Sequence, residues 1–117
     1  MPYMLLVMEP KGRREGRPAE VVQSERERMD AFGASLKARG VYLAGQSLRS
    51  LGDGTRVETS GGKRRVTDGP FAEAKELVGG FFVLDVATRE QAVALAAECP
   101  AAEWASIEVR EVGPCSG

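Results

Sequence analysis

Phe81-Phe82-Val83-Leu84-Asp85-Val86-Ala87-Thr88-Arg89-Glu90-Gln91 decides the fold, because it holds one strand and the start of one helix. Phe81 to Val86 is apolar or β-branched at nearly every position and too short for a core helix, so it reads as a strand. Thr88 with Gln91 three residues later makes a capping box, which opens a helix. Behind it Ala92, Leu95, Ala96 and Cys99 recur at helical spacing, and Pro100 stops them. Ser106 to Val112 alternates apolar and polar residues, the pattern of a strand with one wet face. This half of the chain is therefore β-α-β.

The other half repeats the order. Met1-Pro2-Tyr3-Met4-Leu5-Leu6-Val7-Met8 lacks the basic and small residues of an export signal, and its apolar run from Tyr3 to Met8 reads as a strand. Lys11 to Arg17, rich in glycine and basic residues, reads as an exposed loop. Pro18 is placed to start a helix, whose apolar stripe is Val22, Met29, Phe32 and Leu36. Glu25, Arg26, Arg28, Lys37 and Arg39 take the wet face, with Glu25 and Arg28 spaced as a helical ion pair. Gly40 suits the C-terminal cap. Val41 to Ala44 is a second strand that can continue through a bend to Leu51, and Gly52 to Gly54 is a turn. Thr55–Thr59 and Lys63–Asp68 flank Ser60-Gly61-Gly62 as a hairpin. Asp68-Gly69-Pro70 breaks it, Phe71 to Leu77 reads as a short helical turn, and Gly79-Gly80 ends that turn.

Two β-α-β halves around an antiparallel sheet give an α+β, ferredoxin-like α/β sandwich with an inserted β-hairpin, a single domain over residues 1–117. Two helices cover one face of such a sheet. Residues 3–8 and 81–84 are apolar at both odd and even positions, so the second face must also be dry. A homodimer, face to face, is the expected cover.

Composition narrows the function. With 117 residues, 16 Lys and Arg against 17 Asp and Glu, the formal charge is -1, so no nucleic-acid partner is expected. No run is long enough to cross a membrane. Histidine is absent, which removes the commonest general base and metal ligand. No metal site and no cofactor are expected. Cys99 and Cys115 read as free thiols of a reducing compartment, and the chain as cytoplasmic.

Candidate chemistry concentrates near the hairpin. Asp68 either caps the helical turn it introduces or acts as a general acid or base, with Glu73 or Glu76 as second carboxylate. Tyr3 and Tyr42 are alternative proton carriers. Phe71, Phe82 and Tyr3 could floor a pocket, although aromatics on strands are mostly core. Lys75, Arg56 and Arg110 could clamp an anion. Asp68, Phe71, Glu73 and Lys75 would then form a cavity mouth, with Tyr3 or Met8 and Met29 below it.

Val66-Thr67-Asp68-Gly69-Pro70-Phe71-Ala72-Glu73-Ala74-Lys75-Glu76-Leu77-Val78-Gly79-Gly80-Phe81-Phe82-Val83-Leu84-Asp85-Val86 resembles the signature of the DGPF subgroup of the YCII-related family. Tyr3-Met4-Leu5-Leu6, Gln91-Ala92 leading to Cys99-Pro100, and Ile107-Glu108-Val109-Arg110 extend the resemblance along nearly the whole chain. It implies a dimeric α+β barrel and a functional link to an extracytoplasmic-function sigma factor. The shorter YCII branch carries a His–Asp pair in its cleft. Met29 aligns with that histidine and Ala38 with the aspartate, so the pair's mechanism does not transfer. Three functions remain: a small-molecule-binding accessory or regulatory domain, which the reading favours; a metal-independent lyase or isomerase; and a purely structural dimerisation module.

Overall fold

The structure is a computed structural model that describes residues 2–116. Met1, read as the head of the first strand, and Gly117 lie outside them. The elements run β1 (Tyr3–Pro10), α1 (Ala19–Ala38), β2 (Tyr42–Ser47), β3 (Thr55–Ser60), β4 (Lys63–Asp68), β5 (Glu76–Leu84), α2 (Arg89–Glu98) and β6 (Ser106–Glu111), with short 3₁₀ turns at Leu51–Asp53 and Pro100–Glu103. The four-stranded sheet has the order β2-β5-β1-β6, antiparallel throughout, and β3-β4 form a separate two-stranded sheet. This is the mixed α+β, ferredoxin-like arrangement with its inserted hairpin.

Local chemistry accounts for the elements. The Thr88 hydroxyl accepts from the Gln91 N–H at 3.2 Å while the Gln91 side chain accepts from the Thr88 N–H at 3.0 Å, which completes the capping box. Gly61 and Gly62, at φ +59° and +77°, turn the β3–β4 hairpin in a conformation that a Cβ would strain.

Strand alternation separates two faces. Tyr3, Leu5 and Val7 point under the helices, and Leu84 lies opposite Tyr3 on the same side. Leu5, Val7 and Leu84 pack with Phe32 and Leu36 of α1 and with Leu95, Ala96 and Cys99 of the second helical segment. Met4, Leu6 and Met8 lie on the other face beside Val83, Phe81 and Val78, all partly exposed. The shortest dimension is 18 Å, room for one sheet and one helical layer. Among the described residues no second layer covers the open face. Among those residues no helix is long and apolar enough to cross a membrane.

Five local expectations are corrected. Phe71 to Leu77 is not helical: the Ala74 N–H donates to the Phe71 carbonyl in a single turn, and β5 begins at Glu76. The Lys11 ammonium takes up the Phe71 and Ala72 carbonyls at 3.0 and 3.2 Å, and Leu77 and Glu76 pair with Glu9 and Pro10. Sheet pairing thus overrides helix propensity. Gly79-Gly80 consequently lies inside β5 rather than at a helix end, and Asp68 caps no helix.

The Lys11–Arg17 loop is not simply exposed, because Arg13, Arg14 and Arg17 fold back and are half-buried. Glu25 does not belong to the wet face of α1. It is buried between Arg13 and Arg17, while Arg28 pairs instead with Glu103.

Candidate functional site

Glu9 continues the inward alternation of β1, so the fold buries a carboxylate that must be neutralised. Arg14 supplies the charge. Its Nε donates to Glu9 Oε2 at 2.8 Å and its Nη2 to Oε1 at 3.1 Å. The same guanidinium donates from Nη1 to the Leu48 carbonyl at 2.6 Å and from Nη2 to the Gly79 carbonyl at 3.1 Å. One side chain therefore ties together the end of β1, the loop after β2, and β5.

Two glycines make room for it. Val7 pairs with Gly80 and Met8 with Val78, so Gly79 is the extra residue of a β-bulge. A Cβ on Gly79 would stand 2.3 Å from Glu9 Oε1 and 2.6 Å from its Cδ. A Cβ on Gly80 would stand 2.8 Å from the Gln46 carbonyl oxygen, which sets how closely β2 approaches.

Above this ion pair lies a cavity of about 500 Å³ between α1 and the β5–β2 half of the sheet. Met29, Phe82, Tyr42 and Trp104 give it aromatic and thioether walls, and Gly33 and Ala34 of α1 border it. Phe82 is braced edge-on by Phe32, with ring centroids 5.3 Å apart. Trp104 is held by the Arg13 and Arg28 guanidinium groups, 5.3 and 5.7 Å from its ring centre. Glu25 anchors Arg13, and the hydrogen bond from Arg13, joined by Arg17 and opposed by burial, holds the Glu25 carboxyl below the usual range. The Lys37 ammonium sits 4.8 Å over the Tyr42 ring.

The residues singled out from sequence are not gathered at one place. Met29 lines the cavity, its sulfur 4.0 Å from the buried Cys99 thiol. Burial pushes that thiol's pKa up, which keeps it unreactive. Tyr3 is buried at the far end of β1, and Met8 lies on the open sheet face. Asp68 is exposed at the end of β4, where it accepts a 2.9 Å hydrogen bond from the Thr55 hydroxyl. Glu73 is exposed and paired with Arg56, whose guanidinium lies 3.9 Å from the ring centre of the buried Phe71. Lys75 is exposed, and its carbonyl accepts from the Lys11 N–H. Phe82, expected as a pocket floor, and Tyr42, expected as a proton carrier, line the cavity with Met29, and Glu9, Arg14, Trp104 and Lys37 join them. Glu9 had one signal in the sequence: it is the next inward position after Val7, and a loop rich in arginine follows it.

No curated protein matches the chain. The profile of the YCII-related domain matches residues 1–116, and the aromatic-walled cleft beside Gly79-Gly80 lies in a chain that belongs to the YCII-related domain family.

Proposed function

We propose that this protein is a small-molecule-binding accessory domain that works as a homodimer. The observation that carries the reading is the cavity of about 500 Å³, within the range of small-ligand sites and walled by Met29, Phe82, Tyr42 and Trp104 over a fixed polar floor. Binding is favoured over chemistry because Asp68 and Glu73 stand on the surface, and both Glu9 oxygens are engaged by Arg14. The partly exposed stripe of Met4, Leu6, Met8, Phe81 and Val83 supports the dimer, since it runs along the two central strands with no layer over it. The two free cysteines fit a cytoplasmic setting. A regulatory role beside an extracytoplasmic-function sigma factor agrees with this reading and rests on the DGPF-like block alone.

The test is a thermal-shift panel of small aromatics and acids on wild type and Ala34→Trp. Ala34 is exposed and borders the cavity, so the indole fills the space without entering the core. A compound that raises Tm in wild type and not in Ala34→Trp supports the reading, because a bound ligand stabilises by mass action. Compounds that stabilise both proteins equally place the site elsewhere and end it.

A further inference from the structure

Among the described residues four charged side chains line the cavity, and their charges sum to zero. Glu9 and Arg14 form the floor. Asp30 and Lys37 lie seven positions apart on α1, about 10 Å along the helix, at the rim. A charged head on the floor would add a charge to a pair that is already neutral. An anion on the floor meets the Glu9 carboxylate, and a cation meets the Arg14 guanidinium.

The floor still has hydrogen-bonding capacity. A carboxylate offers about four lone-pair positions, and Arg14 occupies two of those on Glu9. A guanidinium offers about five N–H groups. Four of those on Arg14 go to Glu9, Leu48 and Gly79, which leaves one N–H on Nη1. A spare acceptor on Glu9 and a spare donor on Arg14, the latter on the side of the guanidinium away from Glu9, therefore remain on the floor, beneath walls that suit a ring. The pair is held rigidly, since Gly79 and the Leu48 carbonyl fix it from both sides.

We infer that the cavity takes a small, uncharged aromatic or apolar molecule whose polar head carries a hydrogen-bond donor and an acceptor. An amide or a hydroxy-ketone has this form. The head's donor suits Glu9 or its carbonyl suits Arg14, while the ring lies among Met29, Phe82 and Trp104. This rests on the reading of the cavity as a small-molecule site and adds the class of ligand.

Benzamide, benzoate and benzamidine test it, because they share one shape and differ in charge. The chain has a single tryptophan, so the Trp104 indole N–H gives one resolved signal from the cavity wall. In ¹⁵N–¹H spectra of the intact wild-type protein, benzamide should shift that signal saturably, with a Kd about tenfold or more below those of the two ions. Glu9→Gln leaves Arg14 uncompensated and should move the preference from benzamide to benzoate. Should that variant fail to fold, the wild-type ranking decides by itself. Benzoate bound tightest by wild type, with that binding lost in Lys37→Ala, would overturn the inference and make the rim lysine an anion anchor. Benzamidine bound tightest would overturn it equally. Silence from all three also ends the inference, whereas the Ala34→Trp panel decides separately whether the cavity binds anything.

Discussion

The block from Val66 to Val86 has two ends that behave differently. At one end Asp68-Gly69-Pro70-Phe71 is the most conspicuous run in the chain, and Asp68 and Glu73 beside it are exposed. At the other end Gly79-Gly80 carries no functional group, yet Glu9, Arg14 and the cavity are built against its backbone. Chemistry-bearing side chains at the first end bond locally, Asp68 to Thr55 and Glu73 to Arg56. Absence of side chains at the second end lets distant elements converge. A site is made here by what a strand leaves out.

The largest expected effect lies at the glycine end. Glu9→Ala strands a half-buried guanidinium and should cost about 3 kcal/mol in urea unfolding, the lower part of the range for a broken buried pair. Gly79→Ala pushes a methyl into the Glu9 carboxylate and should cost about 2 kcal/mol. A loss below about 0.5 kcal/mol in both, the level of an ordinary surface change, would break the comparison.

The next effect concerns the two faces of β5. Phe81 lies on the open face beside Leu6, whereas Phe82 packs under α1 on Phe32. Phe81→Asp should therefore leave a folded monomer where wild type sediments as a dimer at micromolar concentration. Phe82→Asp should unfold the protein. A wild type that sediments as a monomer removes the dimer, and a Phe81→Asp dimer moves its interface off this face.

Glu25 gives a smaller, pH-dependent effect. Its folded carboxyl lies below its unfolded value of about 4.3, so the stabilisation is complete above that pH and fades as pH falls through the folded value. Glu25→Gln should lower stability at neutral pH and flatten the acid limb of the stability curve. Parallel acid limbs for Glu25→Gln and wild type would show that Arg13 and Arg17 gain nothing from the buried charge.

How much could be read from sequence follows the range of the interactions. The order of strands and helices was visible because capping at Thr88, the glycine pair at 61–62 and the alternation of β1 and β6 act over a few residues. The turn at Phe71–Leu77 departs from its helical pattern because the Phe71 and Ala72 carbonyls bond to Lys11, some sixty positions away. Arg14 looked like one of several loop cations, since nothing local shows that its partners are Glu9, Leu48 and Gly79. Met29, Phe82 and Tyr42 are the anticipated residues that line the cavity, Met29 through the register of the first helix and the other two through their strands. The alternation Tyr3, Leu5, Val7, Glu9 held an unused clue, for an inward carboxylate requires a cation and the next loop is rich in them.

The smallest expected effect is at Asp68. It holds one exposed hydrogen bond from the Thr55 hydroxyl across the first pair of the hairpin, where Thr55 lies opposite Asp68. Hydrogen bonds of this kind contribute about 0.5–1 kcal/mol net, and less where water competes. Asp68→Ala should thus cost about 0.5 kcal/mol or less. Asp68→Asn keeps an acceptor oxygen for Thr55 and should be closer still to wild type. Neither substitution touches the cavity wall, so the Trp104 indole signal and its response to benzamide should be unchanged in both. A stability loss as large as that of Glu9→Ala, or a Trp104 response that vanishes with Asp68, would show that the hairpin end of the block reaches the site after all. The two ends would then have to be treated as one machine.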